Sequence, residues 1–332
     1  MMKLGVYTAI LHDRSLDDAL DVIKGLGLNG AEINSGGFLP PVHLPIQEIM
    51  SSNVRRDEYL DKFSSRNIKL TALNCNGNPL HPDPEVGAVH GTDVFDSIRI
   101  ASRLGVNRVI TMSGLPASNP GALRPSWVVN PWNSVDLDTL EYQWSEVVLP
   151  YWRDVDRLAR EHGVRVGIEM HPQNVVFNPS TLLRLVEQGG LTNVGAEMDP
   201  SHLFWQQIDP VKAIEHLGEL VVTAAAKDIR INPSVAIHGV LDDRFTRVPQ
   251  AEGPLSLGGK YTLNKWPEDS AWDFVAVGIG HDQDFWDRFV QALHKYAPQT
   301  DLAIEHEDAS LGRIEGLEVA ASTLKKSIAT LL

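Results

Sequence analysis

The run Val164-Arg165-Val166-Gly167-Ile168-Glu169-Met170-His171 decides how this chain is read. Its opening residues are mostly apolar, with β-branched Val164, Val166 and Ile168, and they follow His162-Gly163, a pairing that suits a helix ending in a left-handed cap. A carboxylate and an imidazole then stand at the far end of the strand. The same arrangement recurs where Val194 to Glu197 leads into Asp199-Pro200-Ser201-His202, and where Asp301 to Glu305 closes on Glu305-His306-Glu307. Acidic groups at the ends of three separate strands are how a barrel of alternating strands and helices gathers a site at one rim.

Outward from these runs, short apolar segments alternate with longer stretches of helical periodicity, the pattern of βα units with a parallel sheet. Eight strands are predicted: Lys3 to Tyr7, Gly30 to Ile33, Lys69 to Leu73, Arg108 to Thr111, Val164 to Glu169, Val194 to Glu197, Leu220 to Ala225 and Asp301 to Glu305. Ser15 is the expected N-cap of an amphipathic helix running to Leu26, and the stretch from Gly312 to Leu332 reads as a closing helix. The expected fold is a single (β/α)8 TIM-barrel domain over residues 1–332. Three connections exceed the usual length: Phe38 to Ser51, Leu115 to Asp138 and Ile229 to Trp272. Each follows a strand, so each belongs on the carboxyl-end face as a lid or an oligomer contact, with Trp127, Trp132 and Trp266 packed beneath or stacked on a sugar face.

A chain of 332 residues with 43% apolar content can bury a core of that size. The formal net charge of −14 argues against a nucleic-acid partner, which calls for basic surface. The only cysteine, Cys75, cannot form an internal disulfide. With no secretory h-region and no membrane-length apolar stretch, a cytoplasmic protein without membrane contact is expected.

If the barrel forms, Glu169, Asp199 and Glu305 converge at its mouth. Hard oxygen ligands with at most one imidazole suit Mn2+, with Mg2+ or Co2+ as alternatives, better than a closed zinc site. His171 lies two residues beyond Glu169 and points to the same side of an extended segment. His202 lies three residues after Asp199, within reach of a substrate hydroxyl. Lys227 and Arg230 are candidates for holding a substrate oxygen, and Asn78 and His81 could line the mouth from the loop after the third strand.

Five motifs together resemble the xylose isomerase-like barrels, and more closely the sugar phosphate isomerase/epimerase group: Gly77-Asn78-Pro79-Leu80-His81-Pro82, Ile168-Glu169-Met170-His171-Pro172, Asp199-Pro200-Ser201-His202-Leu203-Phe204-Trp205, Gly278-Ile279-Gly280-His281-Asp282 and Ile304-Glu305-His306-Glu307-Asp308. The resemblance implies a metal held by Glu169, Asp199, a histidine and Glu305, with Glu169 and Glu305 also serving as acid and base. The histidine belongs in a His-x-His-Ala-Lys-Asp stretch, but this chain reads Thr223-Ala224-Ala225-Ala226-Lys227-Asp228. Three explanations compete: a natural variant with a weaker or different metal, an imidazole such as His202 or His281 standing in, or an introduced His-to-Ala change.

The implied chemistry is isomerisation or epimerisation of a sugar or keto-sugar by proton abstraction beside a carbonyl. No Gly-rich phosphate cradle opens a helix, so a free or oxidised sugar fits better than a sugar phosphate. The resemblance extends to the large subunit of C-glycoside deglycosidases, which would eliminate an aglycone from a 3-keto-glycoside with a small partner subunit. A third reading is a non-catalytic sugar-binding barrel that has lost its metal. Homo-oligomers are a further expectation from the resemblance.

Overall fold

All eight expected strands form, each within one residue of its predicted ends, in a computed structural model that describes residues 2–331. They are β1 (Leu4–Tyr7), β2 (Gly30–Asn34), β3 (Lys69–Asn74), β4 (Arg108–Met112), β5 (Arg165–Glu169), β6 (Val194–Met198), β7 (Val221–Ala226) and, after an excursion carrying four further strands, β12 (Leu302–Ile304). The parallel sheet closes in the order β1-β12-β7-β6-β5-β4-β3-β2. Nearly every residue of these strands is buried, as a sheet covered on both faces requires.

Helix ends follow the sequence signals. Ser15 Oγ accepts from Asp18 N at the start of helix Leu16–Gly25, and Asn178 and Thr181 form a reciprocal capping box on helix Pro179–Gly189. Helices Pro84–Leu104 and Leu149–His162 stop at Gly105 and Gly163, both left-handed. The closing helix spans Arg313–Ala329.

Packing groups the chain into two compact units. One comprises Met1–Ile33, Leu60–Thr71 and Met198–Leu332, and Trp286, Phe289, Leu20 and Ile23 are among its fully buried side chains. The other comprises Asn34–Tyr59 and Ala72–Glu197, with Trp152, Ile98 and Ile110 inside. Strands β2, β3 and β6 each have residues in both.

The excursion between β7 and β12 is not irregular throughout. β8 (Asp228–Ile231) pairs antiparallel with β11 (Trp272–Val275), and two residues each of β9 (Thr246–Arg247) and β10 (Asn264–Lys265) form a small ladder between them. The loop tryptophans divide: Trp127 packs edge-on against Phe177 and Trp266 against Trp272, as packing predicts. Trp132 does not; it is 92% exposed, because its neighbours from Asn130 to Val135 are exposed too and offer nothing to bury it. No helix among the described residues is long and apolar enough to cross a membrane.

Candidate functional site

The pleat beyond β7 turns Lys227 and Asp228 to opposite sides. Asp228 is fully buried and accepts from the backbone N–H groups of Ile229, Gly278, Gly280 and His281 and, at 2.7 Å, from His281 Nδ1. Lys227 points the other way, where its buried Nζ lies 2.7 Å from Glu307, 3.2 Å from Glu305 and 4.0 Å from Asp199. Glu305 and Glu307 reach it together because alternate residues of an extended segment share a side. His306, between them, goes the other way into the closing helix, where a Cβ on Gly316 would stand 1.9 Å from its ring. Burial holds the His306 imidazole below its ordinary range.

Asp199 follows β6 and is completely buried. Its carboxylate accepts from Ser201 N at 2.8 Å, and His202 Nε2 lies 3.4 Å away, brought back by the first turn of the short helix Ser201–Phe204. Glu169 ends β5, 2% exposed, and accepts from the side-chain amide of Asn76. Of the predicted metal ligands, Asp199 and Glu305 both reach Lys227 within one unit, and Glu169 belongs to the other.

The remaining candidates are occupied differently. Arg230 is paired with Asp273, its cross-strand partner on β11, and reaches Asn232. His171 Nδ1 is 2.7 Å from the carbonyl of Pro172. His81 Nδ1 accepts from Asp83 N. Asn78 stitches two loops, its side-chain oxygen accepting from Leu115 N and Leu80 N while its amide donates to the Leu115 carbonyl. Thr223 and Ala225 share the parity of Lys227 along β7, and Thr223 Oγ1 donates to the Asp301 carbonyl.

The Asn78 backbone N–H donates to His90 Nδ1, which requires the neutral ring, and burial depresses the affinity of that ring for a proton. The unfolded chain therefore takes up this proton first as pH falls below about 6.5, and stability is lost from there down to the folded value. The urea midpoint is expected to drop between about pH 7.5 and 5.5, and to drop less in His90→Asn. An equal drop in both proteins would count against His90 as the source.

Asn76, Glu307 and Phe274 join this neighbourhood without having been singled out in the sequence. Phe274 of β11 sets its ring 4.7 Å from Lys227 Nζ and edge-on to His202 at 5.9 Å. Glu307 could have been found from its two-residue offset to Glu305; the other two depend on contacts that no local pattern carries.

A family model described as the xylose isomerase-like TIM barrel matches residues 20–327. The chain belongs to that family. It is 33% identical over 331 residues to the uncharacterized protein YfiH of Bacillus subtilis (strain 168), covering 98% of this chain and 99% of that protein. Among solved structures, the 3-keto-D-glucoside 4-epimerase YcjR of E. coli aligns with a TM-score of 0.61 at 11% identity, over 99% of this chain and 100% of that one. The IOLI protein with a bound zinc atom aligns with a TM-score of 0.61 at 17% identity, over 99% and 98%. At such identities the structures establish a shared fold, and sugar epimerases and metal-bound barrels are among the neighbours.

Proposed function

We propose that this barrel, acting as one domain over residues 1–332, is a divalent-metal-dependent isomerase or epimerase of a sugar or keto-sugar. The observation that carries the reading is that Asp199 and Glu305, at the ends of β6 and β12, both reach the Lys227 ammonium in a barrel of the xylose isomerase-like family. A further cation suits such a set. Glu169, Asp199 and Glu305 would hold it, and their hard oxygens favour Mn2+, with Mg2+ or Co2+ as alternatives. When bound, it would supply the electrophile that polarises a substrate carbonyl and its neighbouring hydroxyl.

The chain's own groups do the rest. Asp199 is held by Ser201 N and beside His202, so its orientation is fixed before substrate arrives. One of the carboxylates Glu169 and Glu305 takes the proton from the carbon beside the carbonyl, and the other returns one to the far face or the adjacent carbon. Lys227 steadies Glu305 and can donate to the developing oxyanion, while His202 and His171 would bind hydroxyls.

The test is solvent-deuterium incorporation, followed by proton NMR, for a panel of ketoses and 3-keto-glucosides in D2O with Mn2+. Exchange at the carbon beside the carbonyl is expected for at least one of them. Exchange with none, despite tight Mn2+ binding, would leave a non-catalytic sugar-binding barrel. Release of an aglycone in place of exchange would assign the protein to the eliminating lyases.

Ala225 gives a second handle. Because it faces the same side as Lys227, Ala225→His is expected to tighten Mn2+ or Co2+ binding on the order of tenfold, read by isothermal titration calorimetry. Unchanged affinity would mean that the pleat at 225 does not look onto the ion.

A further inference from the structure

The excursion between β7 and β12 lines one side of the carboxylate group with aromatic rings. Phe274 touches both Lys227 and His202. Trp272, on the same face of β11 two residues earlier, backs it edge-on at 5.2 Å, and Trp205 stacks behind Trp272 nearly parallel. From Phe274 the rings continue outward: Trp266 lies 6.0 Å from it, and Phe245 lies 5.3 Å beyond Trp266. Trp272 and Trp205 are buried, Phe274 and Trp266 are half-buried, and Phe245 is 38% exposed, so the rings grade from core to solvent.

Beyond the ring beside Lys227 stand two more, at successive ring-to-ring distances of 6.0 and 5.3 Å. A substrate that filled only the carboxylate end would leave the outer rings idle. We infer that Phe274, Trp266 and Phe245 form a specificity wall for a second, apolar or aromatic moiety attached to the reacting sugar, so that the substrate class is a glycoside with an aromatic substituent, not a free monosaccharide. This rests on the sugar reading proposed above and narrows it. Flat rings suit such a wall, since the apolar C–H face of a sugar and the face of an aryl group both bury area against them with little loss of side-chain freedom. Phe274 is held by the adjacent ammonium, which fixes the inner edge of the wall where the sugar would begin.

The test compares phenyl β-D-glucopyranoside with methyl β-D-glucopyranoside by isothermal titration calorimetry, a pair differing only in the aryl group. The phenyl glucoside is expected to bind at least about tenfold tighter. Trp266→Ala, and Phe274→Leu, which keeps apolar bulk without the ring, are expected to abolish most of that preference with melting midpoints close to the parent. Equal affinity for the two glucosides, or a preference that survives both substitutions, overturns the wall. Binding needs no turnover, so the outcomes separate: an aryl preference without deuterium exchange in any keto-sugar sinks the catalytic reading alone, and exchange without the preference sinks the wall alone.

Discussion

Glu305→Gln is expected to lower deuterium exchange at the substrate carbon by about a thousandfold. Three losses coincide at one atom: the amide cannot take a proton, cannot offer an anionic oxygen to a cation, and cannot hold Lys227 Nζ as an ion pair at 3.2 Å. Loss of a proton-transfer group alone is worth roughly 10²–10⁴ in rate. The fold should tolerate the change, because the ammonium keeps Glu307 at 2.7 Å and the substitution conserves shape. Glu307→Gln is the control: its side chain is 50% exposed, and an ion pair at that position contributes little, so a rate change below about threefold is expected. Exchange rates and Mn2+ affinity measured on both variants decide the matter. If Glu305→Gln retained more than a tenth of the parent rate while Glu307→Gln lost activity, the proton-transferring carboxylate would have to be reassigned.

The strand ends were legible because period-two geometry and the barrel's connectivity leave little freedom. Glu169 and Asp199 stand at the ends of β5 and β6, and Glu305 directly follows β12, as the alternation of apolar runs and helical stretches predicts. Partners set by tertiary contact were not legible. Asn76 donates to Glu169 across 93 residues of sequence, and nothing near either residue marks the pair. Arg230 looked like a substrate ligand from its place beside Lys227. The β8–β11 register opposes it to Asp273 instead, and that register belongs to a long excursion whose turn residues give no single pairing. Phe274 comes from the same strand pair, so the register that sets Arg230 against Asp273 also places an aromatic ring against Lys227. Trp132 shows the reverse error, since a large apolar residue in a long loop finds cover only if the loop folds back over it.

Gly5→Ala is expected to lower stability by about 3 kcal/mol or more. A Cβ at Gly5 would stand 2.4 Å from both the carbonyl carbon and oxygen of Gly30 and 2.8 Å from its Cα. All three are backbone atoms of the paired strand, in the register Gly5↔Gly30, so no side chain can swing aside. Moving β2 back is also obstructed, because Gly30 faces Gly5 on one side, a Cβ there would meet Thr71 Cγ2 at 3.2 Å, and Thr71 Oγ1 ties β3 to the Ala31 carbonyl. Gly105→Ala isolates the other role of glycine. Its φ is +71° and a Cβ there would meet nothing within 4 Å, so only the left-handed backbone opposes the change and about 1 kcal/mol is expected. Guanidinium unfolding of both variants separates close approach from backbone conformation. A Gly5→Ala cost no larger than that of Gly105→Ala would mean that β1 and β2 do not meet in this register.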